Sequence, residues 1–148
     1  ICRCLASSEM VVVVADVREE LAEKVASEIE SEGGKATALR LDVTDETQIV
    51  SSIEKIINQY GHLDVLINNA GIDVTVAIEE LEIQDWDRVQ AVNLRAPFIL
   101  SKTVLPHMKQ RQRGHIVNIA STASKRTWSN ATAYHASKWG LVGFSHAL

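Results

Sequence analysis

The chain of 148 residues is 46% hydrophobic and 23% charged, with seven glycines and two prolines, the composition of one soluble globular domain with a real core. Its formal net charge of -4 supplies no basic footprint for nucleic acid or an anionic membrane surface. No apolar run approaches the roughly 20 residues that span a bilayer. Five scattered histidines show no ligand spacing, and Cys2 and Cys4 stand together as C-x-C. That pair reads as reduced thiols of a cytoplasmic protein, with neither a disulfide framework nor a metal site.

In chain order, the sequence opens on Ile1 without a signal peptide, and "CRCLASSE" reads as the tail of a helix that starts upstream. A fragment of a longer protein is the expectation. Residues 11–15, "VVVVA", form a buried strand that ends at Asp16. Over residues 18–32, Leu21, Ala22, Val25, Ala26 and Ile29 make a helical stripe with charges on the opposite face. Gly33 and Gly34 follow as C-cap glycines.

Residues 35–41 alternate as a strand, after which Thr44 is the expected N-cap, with acids in the first turn of the next helix. Ile49, Ile53, Ile56, Ile57 and Tyr60 mark that helix, and Gly61 stops it. A strand at 63–68 leads into Asn68-Asn69-Ala70-Gly71. A long helical region then covers about 85–110, with Trp86, Val89, Val92, Phe98, Ile99 and Val104 as core candidates. Gly114 closes it, "HIVNIAS" is a fourth strand, and a last helix carries "YHASKWG".

Strands alternating with helices of ten or more residues predict βαβ units: an α/β fold with a doubly wound parallel sheet between two helical layers. No repeat or linker divides residues 1–148, so they read as a single domain. Open sheets of this kind bind ligands outside the carboxyl ends of their strands. Those ends are Asp16, Asp42, the segment 68–71 and Ser121.

Tyr134 and Lys138 lie four residues apart, neighbours on one helical face. Alone, such a pair is equally a surface tyrosine packed on a lysine stem. With "VVVVAD", "LDVTD", "NNAG", "AVN", "IVNIAS" and "YHASK" all in order, however, the chain resembles the classical short-chain dehydrogenase/reductase family along its whole length.

The resemblance implies a Rossmann-like fold and an NAD(P)-dependent oxidoreductase that moves hydride between nicotinamide and a secondary alcohol or ketone. It makes Tyr134 the general acid/base. A phenol, ionising near pH 10, is a poor base at neutral pH, and a nearby ammonium favours its phenolate. Lys138 would supply that ammonium and hydrogen-bond the nicotinamide ribose. Ser121, thirteen residues before Tyr134, would hydrogen-bond the substrate oxygen. Ser124 and Ser129 read as turn residues of the following loop.

Asn93 matches the family's asparagine, whose backbone carbonyl holds a proton-relaying water. Pro97 lies four residues on, lacks an N–H, and should break the helical ladder at that carbonyl. The competing reading lets Pro97 begin a second helix capped near Asn93. Asn69, Ala70 and Gly71 would let the backbone approach the cofactor, while Asp42 and Val43 would flank its adenine. Asp42 is equally a capping turn. Asp16 closes its strand where a carboxylate hydrogen-bonds a ribose 2′-hydroxyl and repels a 2′-phosphate, so NAD is expected over NADP. Against it stand Arg18 as a phosphate clamp and Asp16 as a simple N-cap.

The family's glycine-rich loop, T-G-x-x-x-G-x-G, is not found in this sequence, and ten residues follow Lys138. The chain therefore reads as the middle of a longer enzyme, inactive by itself. The full-length protein is expected to be a homodimer or homotetramer through the helix after Asn93 and the helix of Tyr134. The alternative to an enzyme is a non-catalytic dinucleotide-binding or scaffold protein on the same fold. The loop 122–133 would line the substrate pocket, with Lys125 and Arg126 either facing an anionic group or simply solvated.

Overall fold

The computed structural model describes residues 1–148, which form two compact units, Ile1–Asp42 and Val43–Leu148. The first unit contains α1 (Cys2–Ala6), β1 (Val11–Asp16), α2 (Glu19–Ser31) and β2 (Lys35–Arg40). β1 and β2 pair in parallel, in register from Val11 opposite Lys35 to Asp16 opposite Arg40. A parallel pair requires a crossover, and α2 is that crossover. Val12 and Val14 of β1 pack with Ala22, Ala26 and Ile29 of α2 and with Ala6 and Ala36, as the helical stripe predicts.

The turn out of α2 follows from its glycines. Gly33 takes φ +83°, and the N–H groups of Gly33 and Gly34 reach back to the carbonyls of Glu30 (3.0 Å) and Ile29 (2.9 Å). These are the paired bonds of a Schellman cap, which satisfies carbonyls the helix end leaves open.

The second unit runs through α3 (Glu46–Tyr60), β3 (Val65–Asn68), α4 (Ile83–Gln90), α5 (Ala96–Gln110), β4 (His115–Asn118) and α6 (Thr132–Ala147). β3 and β4 are parallel, Val65 opposite His115 and Asn68 opposite Asn118. Both strands are shorter than the apolar runs that announce them: β3 begins two residues late, at Val65, and β4 ends at Asn118, ahead of residues 119–121. The cap of α3 is Asp45, one residue past Thr44: its carboxylate accepts the Gln48 backbone N–H at 3.0 Å and the Gln48 side-chain N–H at 2.9 Å. From this position the side chain reaches the third helical residue, the ordinary capping geometry. These bonds hold the Asp45 carboxyl below its usual range.

α4 and α5 are not one regular helix. A π-turn, Ala91–Arg95, joins them, and the Ala96 N–H bonds back five residues to Ala91. Pro97 follows as the second residue of α5, so a new regular helix does start beside the proline, and the stretch just ahead of it, which includes Asn93, is the π-turn. Asn93 caps nothing, since the cap position falls on Arg95 in continuous helical backbone. Val89, Ile99 and Val104 enter the core and Trp86 and Val92 are half-buried, but Phe98 is 47% exposed. The buried stripe of α5 runs through Ala96, Ile99, Leu100, Val104 and Met108, and Phe98 stands off it, edge-on to Phe144 of α6 with ring centres 6.4 Å apart.

Candidate active site

At the carboxyl ends of β3 and β4 lies a cleft of about 440 Å³, lined by Asn69, Gly71, Ser121, Tyr134 and Lys138, with Ile72 and Trp128 among its apolar walls. Helical spacing sends Tyr134 and Lys138 from α6 into it together. Lys138 is only 4% exposed. Its Nζ donates to the Ile119 carbonyl at 2.8 Å and sits 5.7 Å from the centre of the Tyr134 ring. Burial lowers its pKa from the usual lysine value. Two of its three N–H groups remain for a ligand.

Gly71 brings bare backbone to this ammonium. A Cβ at that position would lie 3.7 Å from the Lys138 Nζ and 3.6 Å from the Asn93 Oδ1. On the other side, α6 packs closely on the π-turn at Gly140, where a Cβ would come within 2.8 Å of a Leu94 methyl. Small residues therefore set both approaches to the lysine.

Asn93 is 1% exposed, and its amide does more than spacing alone could show. The Oδ1 accepts the Ile72 N–H at 2.9 Å, while Nδ2 donates to the Ile72 carbonyl at 2.8 Å and to the Ser137 hydroxyl at 3.0 Å. Ser137 in turn donates to the Tyr134 carbonyl at 2.7 Å. One side chain thus ties the loop after β3 to the turn that carries Tyr134. The Asn93 backbone carbonyl has no donor four residues on, because position 97 is proline. Such one-turn π segments recur at functional sites.

Ser121 lines the cleft, and its Oγ accepts the Ala123 N–H at 3.1 Å at the start of a short 3₁₀ turn. Ser124 is buried and donates to the Ser121 carbonyl at 2.6 Å, the turn-building role expected of it, while Ser129 is exposed. Lys125 and Arg126 are exposed and do not line the cleft. Reading by motif missed Ser137, the Ile72 backbone and Gln90, whose amide donates to the Ala133 carbonyl at 2.9 Å and pins the start of α6. Nothing in a one-dimensional spacing marks partners 43 or 44 residues apart.

The structure thus gathers Asn69, Gly71, Asn93, Ser121, Tyr134 and Lys138 in the second unit. Ala70 is exposed beside them and Val43 is half-buried at the start of that unit. In the first unit, Asp16 lines a groove with Leu21 and Val25. Its Oδ1 accepts the Arg18 N–H at 2.9 Å and lies 3.7 Å from the Arg18 Nε, so it forms a local turn just ahead of α2 as well as an ion pair. Asp42 is half-buried at the end of that unit, and the capping role beside it is filled by Asp45. The spare donors of Lys138 and the bare backbone at Gly71 fit the nicotinamide-ribose half of a dinucleotide.

All 148 residues match the family model described as short chain dehydrogenase. The chain is 42% identical over 134 residues to the uncharacterized oxidoreductase YxjF of Bacillus subtilis, covering 90% of this chain and 52% of that protein. A crystal structure of a metagenomic short-chain oxidoreductase in complex with NADP superposes with a TM-score of 0.95 at 35% identity, over 99% of this chain and 66% of the other. A gluconate 5-dehydrogenase from Burkholderia cenocepacia, in complex with NADP and tartrate, superposes with a TM-score of 0.92 at 30% identity, over 99% of this chain and 57% of the other. The chain spans about half the length of the curated relatives it matches. Its fold is theirs: α/β, a Rossmann-like doubly wound parallel sheet.

Proposed function

The chain belongs to the short-chain dehydrogenase family, and on that premise we propose that its full-length protein is an NAD(P)-dependent oxidoreductase acting on secondary alcohols or ketones, with residues 1–148 as part of its dinucleotide-binding domain. The observation that carries this reading is the buried Lys138 ammonium set beside Tyr134 in a cleft that also holds Ser121.

The dinucleotide, when bound, supplies or receives the hydride. Tyr134 gives its phenolic proton to the substrate oxygen in reduction and takes one back in oxidation. The Ser121 hydroxyl donates to the same oxygen as charge gathers there. Lys138 holds positive charge next to the phenol and offers its two spare N–H groups to the ribose. The Asn93 side chain keeps Ile72 and the Tyr134 turn in register, and its backbone carbonyl, four residues ahead of Pro97, would accept a relaying water. Asn69, Ala70 and Gly71 form the small-residue wall beside the nicotinamide, with Asp42 and Val43 at the adenine.

For the cofactor, Asp16 supports NAD. Arg18 is turned onto the Asp16 carboxylate, and gripping a 2′-phosphate would require it to leave that partner. The solved relatives carry NADP, which makes the kcat/KM ratio of the two cofactors the deciding measurement. A value favouring NADP overturns the preference. For the activity itself, the full-length protein is assayed by nicotinamide absorbance against a panel of secondary alcohols and ketones. Absence of turnover with both cofactors would leave the scaffold reading standing.

A homodimer or homotetramer fits the apolar face that α5 and α6 expose, with Phe98 47% and Trp139 51% exposed. Sedimentation as a monomer at micromolar concentration would overturn it. No helix is long and apolar enough to cross a membrane, and a cytoplasmic enzyme is the location proposed.

A further inference from the structure

His135 follows Tyr134 directly, yet its ring turns away from the chemistry and into the loop between β4 and α6. It is buried, 8% exposed, and each ring nitrogen holds a different limb of that loop. Nδ1 lies 2.8 Å from the Ala123 carbonyl, and Nε2 lies 3.2 Å from the Trp128 backbone N–H. A backbone N–H can only donate, so Nε2 accepts and Nδ1 carries the proton: the network admits one neutral tautomer. The Trp128 indole stands edge-on to the same imidazole, ring centres 4.2 Å apart at 69°. Residues 125–130 are exposed, and Trp128, itself 49% exposed, lines the cleft with Tyr134 and Ser121.

We propose that His135 is a positioning residue for substrate selection: by bonding both limbs of the loop it holds Trp128 as an apolar wall of the cleft, and thereby favours secondary alcohols that carry a ring over small acyclic ones. The physical basis is that a half-exposed indole on an untethered loop would spread over many orientations. Fixing it beforehand removes an ordering cost from substrate binding. An indole face is also a large apolar surface for an alicyclic ring to cover. The selection rests on the oxidoreductase reading above, whereas the tether itself does not.

Two arms separate the two. The first uses no substrate. Hydrogen exchange in the full-length protein, read on the peptide containing Trp128, should show protection in the wild type and in His135→Gln, whose amide can both donate and accept. That protection should be lost in His135→Phe, which keeps a ring and loses both bonds. Equal protection in wild type and His135→Phe overturns the tether.

The second arm measures kcat/KM for cyclohexanol against 2-propanol. His135→Phe and Trp128→Ala should each lower that ratio by about tenfold, the scale of a lost apolar contact. The loss should fall on the KM for cyclohexanol while kcat for 2-propanol is kept. The double substitution should be no worse than Trp128→Ala alone, because both act through one wall. Equal losses on both alcohols, or losses that add in the double variant, overturn the proposal. Should His135→Phe not fold, Trp128→Ala decides, since an unchanged ratio there removes the wall from selection. Turnover of neither alcohol by the wild type would count against the oxidoreductase reading, while the exchange arm still judges the tether.

Discussion

The two units hold their candidate residues in different ways. In the first, Asp16 is fixed by bonds to a residue two positions away, on an exposed turn. In the second, Lys138, Asn93 and Gln90 are held by bonds that span 19, 21 and 43 residues of sequence. The local arrangement can be altered without disturbing anything else, and the long-range one cannot. A residue that selects between two cofactors needs only the right charge in the right turn. The proton transfer proposed for the second unit needs fixed mutual geometry, and a buried amide and a buried ammonium hold the residues there.

Substitutions should separate the units accordingly. The largest effect belongs to Tyr134→Phe in the full-length protein, which is expected to lose about a thousandfold or more in kcat, within the range of a removed acid/base. Cofactor affinity should stay near wild type, and steady-state rates within a few-fold of wild type would sink the mechanism. Asn93→Ala comes next. It strands both backbone groups of Ile72 in a partly buried site, at about 2 kcal/mol of stability, and should lower kcat as well; a denaturant midpoint that does not move would contradict the anchoring role.

Asp16→Ala should do the opposite. Stability is expected to change by less than about 1 kcal/mol, the scale of one lost turn or cap bond. The NAD-to-NADP ratio of kcat/KM should fall by about tenfold, equivalent to roughly 1.4 kcal/mol. A loss of kcat on both cofactors alike would erase the contrast between the units. The smallest effect is in pH. Burial lowers the Lys138 pKa below its usual 10.5, so the folded state gives up that proton before the unfolded chain does. Between those two values the unfolded chain binds more protons, and stability rises with pH. The Tm of wild type relative to Lys138→Met should therefore climb as pH approaches 10.5. A flat difference would mean that the ammonium is effectively solvated.

Much of this was legible before any coordinates. Apolar runs, an alternating segment and period-3.6 stripes located every strand and the helical regions, with α4 and α5 read as one, because burial is what those patterns encode. Pro97 exposed the irregularity at Asn93, since a missing N–H is a covalent fact. Legibility ended where partners are distant. Thr44 looked like the cap and Asp45 like a first-turn acid, and only the reach of the Asp45 carboxylate to Gln48 gives it the role. Phe98 looked like core because hydrophobicity alone does not say which face of α5 turns inward. Ser137, Gln90 and the backbone of Ile72 act through contacts that no local pattern foreshadows.

The π-turn at Ala91–Arg95 has one more consequence. Each residue of a helix advances its phase by about 100°, and one residue in excess offsets everything downstream by that amount. Along the rod from Ile83 to Gln110, Asn93 faces inward to Ile72 and Phe98, five residues later, faces the surface. Deleting a residue between 91 and 95 would restore a regular rod of nearly the same length. The lost residue and the lost offset cancel, so Phe98 would stay outward and Ile99 inward, and only the wide turn around Asn93 would be removed. The wide turn is thus an insertion that the rod absorbs on the spot: it reshapes the surroundings of Asn93 and leaves the face that α5 shows to the surface as it was.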